Sequence, residues 1–267
     1  GNSLSSEGSL LYNSSIFISD KFLFNSDLVT SDQASVIFNH YSYDSSFLES
    51  NDVSLVLNVN DKKISLMSEY LDEDNYYLPY YKTYTSVENV YWDIINEDLF
   101  FYNKNTLDIA PSFFPKEDLF SNWSVTSNSA NIDLKTKQLK LNDVDELQIS
   151  DAFILPRNGE VEIGENFSIS KLYDSEIILD TINEYHRFIN ASVDINSKDQ
   201  FIGSGIYEYV NFNNDTFNIP FSEFKLVETL DENEQKIKTS FSSGVVDKES
   251  PIPVSYTHLR AHETDYY

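Results

Sequence analysis

Carboxylates are the abundant reactive side chains of this chain, with 44 Asp and Glu against four His and no Cys. A glycosidase needs two of them facing each other across a sugar, at a separation that decides the stereochemical outcome. Glu160, Glu162 and Glu176 fall on strand-like segments that could present such a pair. With so many acids some pair must look suggestive, so these three outline a carbohydrate-active enzyme as the alternative reading and no more. The oxygen-rich clusters Asp72-Glu73-Asp74 and Asn213-Asn214-Asp215 carry the ligand type that calcium prefers. They match neither EF-hand spacing nor the glycine-aspartate nonapeptide repeat, and read as solvated turns, so no metal site is assigned.

His186 lies in a strand-like segment beside Tyr185 and Arg187, and His40 in FNHYSYD. Neither has the spacing of a Ser-His-acid set or of metal ligands, so packing is the expected role and no catalytic residue is assigned. Gly203-Ser204-Gly205 lacks the third glycine and the following helix of a phosphate loop. It is expected to mark a bulge or a close approach of strands.

The tyrosines Tyr76, Tyr77, Tyr80, Tyr81 and Tyr84 crowd around Pro79. Tyrosine joins an apolar body to a polar tip, which suits stacking on a sugar or contact with a protein. Alternate side chains of a strand point to opposite faces, so all five cannot be buried by one alternation. This cluster is therefore the expected binding surface, for a glycan or an envelope protein.

Charge narrows the partners. At a formal net charge of −26 the surface repels phosphate backbones and anionic headgroups, and nucleic acid is an unsuitable partner. The missing cysteine removes thiol nucleophiles, disulfides, zinc–thiolate sites and iron–sulfur clusters from this segment, and no cofactor is expected. A hydrophobic share of 40%, with 19 Phe and 18 Tyr, supplies a substantial core. No apolar run approaches the roughly 20 residues of a membrane-spanning helix.

The elements that must position these residues read as short strands. In SLVLNVNDKKISLMSEY, Leu55, Leu57 and Val59 alternate with polar residues up to Asn60-Asp61-Lys62, and Ile64 and Leu66 resume the alternation. The segment NIDLKTKQLKL repeats the design through Ile132, Leu134, Leu139 and Leu141. Around Val90, Trp92 and Ile94 the same period favours a strand over a short helix. The expected fold is all-β, of antiparallel hairpin modules forming an elongated or weakly repetitive sheet stack. Its expected parts are an N-terminal module at 10–110, a linker at 111–124 with a helical turn starting at Pro115, and a C-terminal module at 125–245.

The stretches Ser150 to Pro156, Tyr185 to Ile195 and Phe201 to Tyr209 carry, in that order, SDA-x-I-x-P, YH-x-x-x-NA-x-V-x-I and x-x-GSG-x-Y-x-Y patterns. In these the chain resembles large β-rich cell-envelope proteins of Bacteroidota, over about residues 50–230 and most specifically in these strand patterns. Phe201 stands where a tyrosine is usual in that family, and YLPYYKTYTSVENVYWDI resembles an upstream stretch of the same proteins. The resemblance implies an exported structural or binding segment, located in the cell envelope or outside the cell, and brings no active site. Residues 254–267 read differently. VSYTHLRAHET is an in-frame translation of a transposase-type sequencing adapter, so this tail is expected to be non-native and to take no part in the fold. Setting it aside removes Arg260, Glu263 and Asp265 and leaves the charge near −25. Together with the absent initiator methionine, the tail suggests an internal fragment of a longer protein from shotgun, metagenomic-type sequence.

Overall fold

The computed structural model describes residues 4–68, 75–103, 112–116, 123–179, 181, 184, 186–198, 200–211 and 214–226, with strands also placed at 229–230, 236–237 and 242–246. The expected non-native tail and the Asp72-Glu73-Asp74 cluster lie outside the described residues. What is described is almost entirely antiparallel β, with no α-helix among the described residues. Two compact units divide it: residues 1–143 with 161–169, and residues 144–160 with 170–267.

The first unit begins with four strands, β1 (Leu4–Tyr12), β2 (Ser15–Phe24), β3 (Leu28–Asn39) and β4 (Ser46–Asn58). It continues through β5 (Lys63–Met67), β6 (Tyr76–Leu78), β7 (Thr83–Thr85), β8 (Asn89–Asp93), β9 (Asp98–Tyr102), β10 (Ser112–Pro115), β11 (Val125–Thr126), β12 (Ser129–Asp133) and β13 (Gln138–Asn142). From β4 the sheet forks. One arm runs β5-β8-β9-β12-β13 and ends on a later strand, β16 (Val161–Ile163); the other runs β6-β7-β10-β11.

The first arm is a meander built on one repeated turn. Asn58, Asp93 and Asp133 each end a strand and use a side-chain oxygen to accept backbone N–H groups two or three residues on: Asp61, Ile95 and Asn96, Lys135 and Thr136. Each turn then closes on a residue with positive φ, Lys62 (52°), Glu97 (63°) or Lys137 (57°). Asp and Asn supply such turns because their short side chains mimic the backbone. Both expected hairpins, and the strand through Trp92, are present.

Inward alternation along these strands makes an aromatic core. The Trp92 ring lies 4.9 Å from Phe38 and 5.1 Å from Phe47, although β8 and β3 are separated by two strands in the hydrogen-bonded order. The sheet therefore curls over its apolar face. The curl also brings the connection after β3 to the turn after β12, where the Ser42 hydroxyl donates to the Leu134 carbonyl at 2.6 Å.

The expected linker at 111–124 and the module boundaries on either side of it differ from the division observed. Ser112–Pro115 is a paired strand of the first unit, and β12 and β13 extend the same sheet beyond it. Pro115 lies past the β11 pairing, which covers Ser112 and Phe113, so its nitrogen faces an edge where no ladder bond is needed. Most of the expected helical turn falls at 117–120, outside the described residues.

The second unit is a sheet in the order β14 (Leu147–Ile149), β15 (Ala152–Leu155), β17 (Leu172–Leu179), β18 (His186–Ser197), β19 (Gln200–Val210), β20 (Thr216–Leu226) and β23 (Ser242–Val246); β21 (Thr229–Leu230) pairs only with β22 (Lys236–Ile237). One buried row crosses it: Leu147, Ile154, Ile177, Phe188, Tyr207 and Ile219. Phe224 stacks on Phe188 at 4.1 Å and covers Gly203, where a Cβ would come within 2.6 Å of its ring. Gly205 lies against Ala191, and the register shifts between the two glycines. Gly203-Ser204-Gly205 thus combines the bulge and the close approach read from the sequence.

Register breaks line up in both sheets. In the first unit they cross Ser6-Glu7-Gly8, Ser31 to Val36 and the facing part of β4, and in the second they recur on each ladder from β17 to β20. A bulge bends its strand and raises the local twist, so breaks aligned across adjacent strands bend a whole sheet. Buried Ser19 and Ser31 satisfy backbone groups freed there, both hydroxyls lying within 2.8 Å of the Gln33 carbonyl.

Candidate functional site

Strand alternation splits the tyrosine cluster. β6 and β7 are joined by the turn at 79–82, in which the Lys82 N–H donates to the Pro79 carbonyl. Tyr76 points inward, fully buried, with its hydroxyl donating to the Glu88 carbonyl at 3.0 Å. Tyr81 is equally buried and shares a 3.2 Å hydrogen bond with the hydroxyl of buried Tyr43. Burial raises the pKa of all three phenols, that of Tyr43 to about 12. Tyr76 and Tyr81 are core residues, and the expectation that they belong to a binding surface is corrected accordingly.

Tyr77 and Tyr84 lie on the opposite, outer face, directly across from each other, with Phe114 next in the row. Their rings stand 4.7 Å and 5.9 Å apart at interplanar angles of 35° and 25°. The Lys116 ammonium sits 4.2 Å from the Tyr77 centroid. The Tyr77–Tyr84 pair is tilted, the Tyr84–Phe114 pair is stacked and Lys116 lies over the Tyr77 ring, so these half-buried rings pack on one another and on the lysine. That leaves little for a sugar to stack on. Tyr80 is half-buried in the turn, packed edge-on against Tyr43 and Tyr81, with Lys137 over its ring.

Both histidines are tied into packing. His40 Nδ1 lies 2.7 Å from the Ser42 hydroxyl, and Nε2 lies 3.6 Å from Glu97, which also takes a hydrogen bond from Tyr41 and a contact from Lys135. The Ser42 proton goes to the Leu134 carbonyl, so this Ser-His-Glu arrangement fastens three connections together instead of activating a nucleophile. Burial lowers the His40 pKa despite the nearby carboxylate. His186 Nδ1 lies 2.8 Å from the Tyr207 hydroxyl.

The acidic candidates are similarly occupied. Glu176 is held by Arg187 through both oxygens, at 2.6 and 2.7 Å, while Glu162 on β16 lies opposite Lys140 on β13. Glu160 precedes β16 and falls in the second unit, whereas Glu162 falls in the first. Asp215 exchanges hydrogen bonds with Asn211 as a local turn, and Asn213 lies outside the described residues. Among the described residues no three His, Asp or Glu side chains are grouped to hold a metal ion. The groove of about 620 Å³ over the register breaks of β2, β3 and β4 is open and lined by groups such as Ser19, Asp32 and Asp52.

A different surface emerges on the outer face of the first arm. Val56, Ser65, Tyr91 and Phe100 form one hydrogen-bonded row across β4, β5, β8 and β9. Met67, Asn89 and Tyr102 form the next row on the same face. Val56, Met67, Phe100 and Tyr102 are between 36% and 42% exposed, which is unusual for neighbouring large apolar side chains. Sequence reasoning missed them because it searched for clustered tyrosines along the chain, while these residues converge only through strand register. The available signal was aromatic or apolar residues at the outward positions of a predicted meander.

On the other side of that row, register places Asp98 directly between Asp93 and Asp133. Asp93 and Asp133 are required by their turns; Asp98 follows a turn and is brought between them. Burial, then repulsion from Asp133 and Asp93, raises the Asp98 pKa above the ordinary 3.8, against a smaller opposing effect of Lys135. An acid whose pKa is raised by folding is favoured protonated in the native state. Its contribution to stability is full below the unfolded pKa and is lost as pH rises through the folded one. Asp98→Asn should therefore stabilise the first unit at pH 7 by about 0.5 kcal/mol, the scale of one cross-strand like-charge contact. Urea unfolding followed by tryptophan fluorescence should show this gain shrinking by pH 4.

No family model, curated protein or solved structure matches this chain. Among the described residues no helix is long and apolar enough to cross a membrane.

Proposed function

We propose that the chain is a non-catalytic binding and structural segment of a large exported cell-envelope protein, and that it meets its partner through the outer face of the β5-β8-β9 meander. The exposed apolar rows around Phe100 carry this reading. A convex sheet face fixed by hydrogen-bonded register is a rigid platform, and large apolar side chains left in water on it gain free energy when a partner covers them. The commitment of His40, His186 and Glu176 to intramolecular partners and the resemblance to Bacteroidota envelope proteins point the same way.

Co-sedimentation with isolated envelopes of a Bacteroidota bacterium tests the proposal. The wild-type chain should pellet with the envelopes, and a Phe100→Ser/Tyr102→Ser variant of unchanged melting temperature should remain in the supernatant. Equal partition of the two proteins would reject the assigned face. Release of reducing ends from a polysaccharide panel, abolished by Glu162→Gln or Glu176→Gln, would instead establish the carbohydrate-active alternative.

A further inference from the structure

We infer that the partner received by the Phe100 face is a polypeptide segment carrying lysine or arginine next to apolar side chains. The inference rests on the reading of that face as a binding surface and names the chemistry of what it binds. Two rows on one face of the sheet define the requirement. The first presents Val56, Tyr91 and Phe100, and the second, two residues along each strand, presents Lys63, Asp93, Asp98 and Asp133 in register. Strand geometry puts such rows about 7 Å apart and their members about 5 Å apart. A side chain lying on Phe100 therefore has a carboxylate within reach of its tip.

The chain's own residues show the contact that such a partner would make. Lys63 Nζ lies 5.7 Å from the Tyr91 ring centroid, in the row that holds Asp93. The cross-strand neighbours of Asp98 are both acidic, Asp93 and Asp133. Lys135, whose charge offsets this only in part, contacts Glu97 at 3.7 Å, so the place opposite Asp98 in these rows is not held by a cation as that of Asp93 is by Lys63. A basic side chain from outside would fill that place, with its aliphatic stem on Phe100 and its charge at Asp98. The net charge of −26 works in the same direction: it repels a second copy of this chain and anionic polymers and attracts a basic one. A neutral glycan would use the same aromatic faces and the polar tips of Tyr102 and Asp98, but it would gain nothing from the net charge.

The chain contains a single methionine, Met67, and it lies on this face. Labelling its methyl group with carbon-13 gives one resonance that reports occupancy of the patch, separately from diffuse attraction elsewhere on an acidic surface. The probes are an alternating Lys–Phe octapeptide, the matching Glu–Phe octapeptide and cellohexaose. The Lys–Phe peptide should shift the Met67 signal saturably, and Asp98→Asn should weaken it about 5-fold, as expected for loss of one exposed charge pair. The Glu–Phe peptide should leave the signal unmoved. Equal shifts with both peptides, or an unchanged affinity in Asp98→Asn, would overturn the basic-partner inference while leaving the binding face in place. A saturable shift with cellohexaose alone would overturn it in favour of a glycan. No shift with any probe would overturn it together with the assignment of this face.

Discussion

Tyr81→Ala should lower the stability of the first unit by about 4 kcal/mol, as truncation of a large buried aromatic does, whereas Tyr84→Ala should cost about 1 kcal/mol, the scale of one aromatic pair. The two residues are three apart, in the same tyrosine-rich stretch, and the expected difference is roughly fourfold. Tyr81 is fully enclosed, and its removal would also leave the Tyr43 hydroxyl without its partner in a buried place. Tyr84 is half-exposed and would leave Tyr77 and Phe114 able to close towards each other. Urea unfolding read by tryptophan fluorescence is well placed to measure both, because Trp92 and Trp123 both belong to the first unit. A cost for Tyr81→Ala no larger than that for Tyr84→Ala would contradict the core position of Tyr81.

This contrast shows where the sequence was legible. Alternation in SLVLNVNDKKISLM and NIDLKTKQLKL stated which side chains face inward, and the Asn and Asp residues at the strand ends stated where the chain turns. The all-β class and the hairpins followed from such local signals. Five tyrosines in nine residues cannot all be buried by one alternation, but their number does not say which are exposed, because the turn at 79–82 resets the alternation and sends both Tyr76 and Tyr81 inward.

Non-local pairing was much less legible. Nothing in the composition of 111–124 shows that Ser112–Pro115 pairs with β7, since two prolines in a short stretch resemble punctuation wherever they occur. The apolar face around Phe100 has the same origin. Val56, Met67, Tyr91 and Phe100 are scattered through the sequence and meet only once the shared turn design has fixed the register of four strands. The same register sets Asp98 between two other aspartates, a local cost to stability that positions charge beside the apolar rows. The surface proposed to bind is thus a product of how the hairpins repeat, and no short motif encodes it.

Asn75→Leu should be as damaging as the loss of a core aromatic, at about 4 kcal/mol, although it adds apolar bulk. Asn75 sits at the fork of the first sheet, where β4 passes from pairing with β5 to pairing with β6. Its side chain is buried and fully used: Oδ1 accepts from the Ser68 hydroxyl at 3.0 Å, and Nδ2 donates to the Ser86 and Val87 carbonyls at 3.3 and 3.2 Å. Its own carbonyl accepts from Ser50 on β4. Leucine would keep only that last bond and take the Nδ2 donor away from the buried Val87 carbonyl and the part-buried Ser86 carbonyl, each costing about 1–3 kcal/mol when unpaired, while setting a branched apolar side chain against three polar groups. Asn75→Asp separates this account from a simple loss of volume. A carboxylate has the shape of the amide but would turn an oxygen towards the two carbonyls, so at pH 7 it should destabilise at least as much as leucine. At pH 4 a protonated acid can donate to one carbonyl again, and part of the loss should return in urea unfolding. If Asn75→Asp is as stable as wild type at pH 7, the two Nδ2 hydrogen bonds do not hold the fork together.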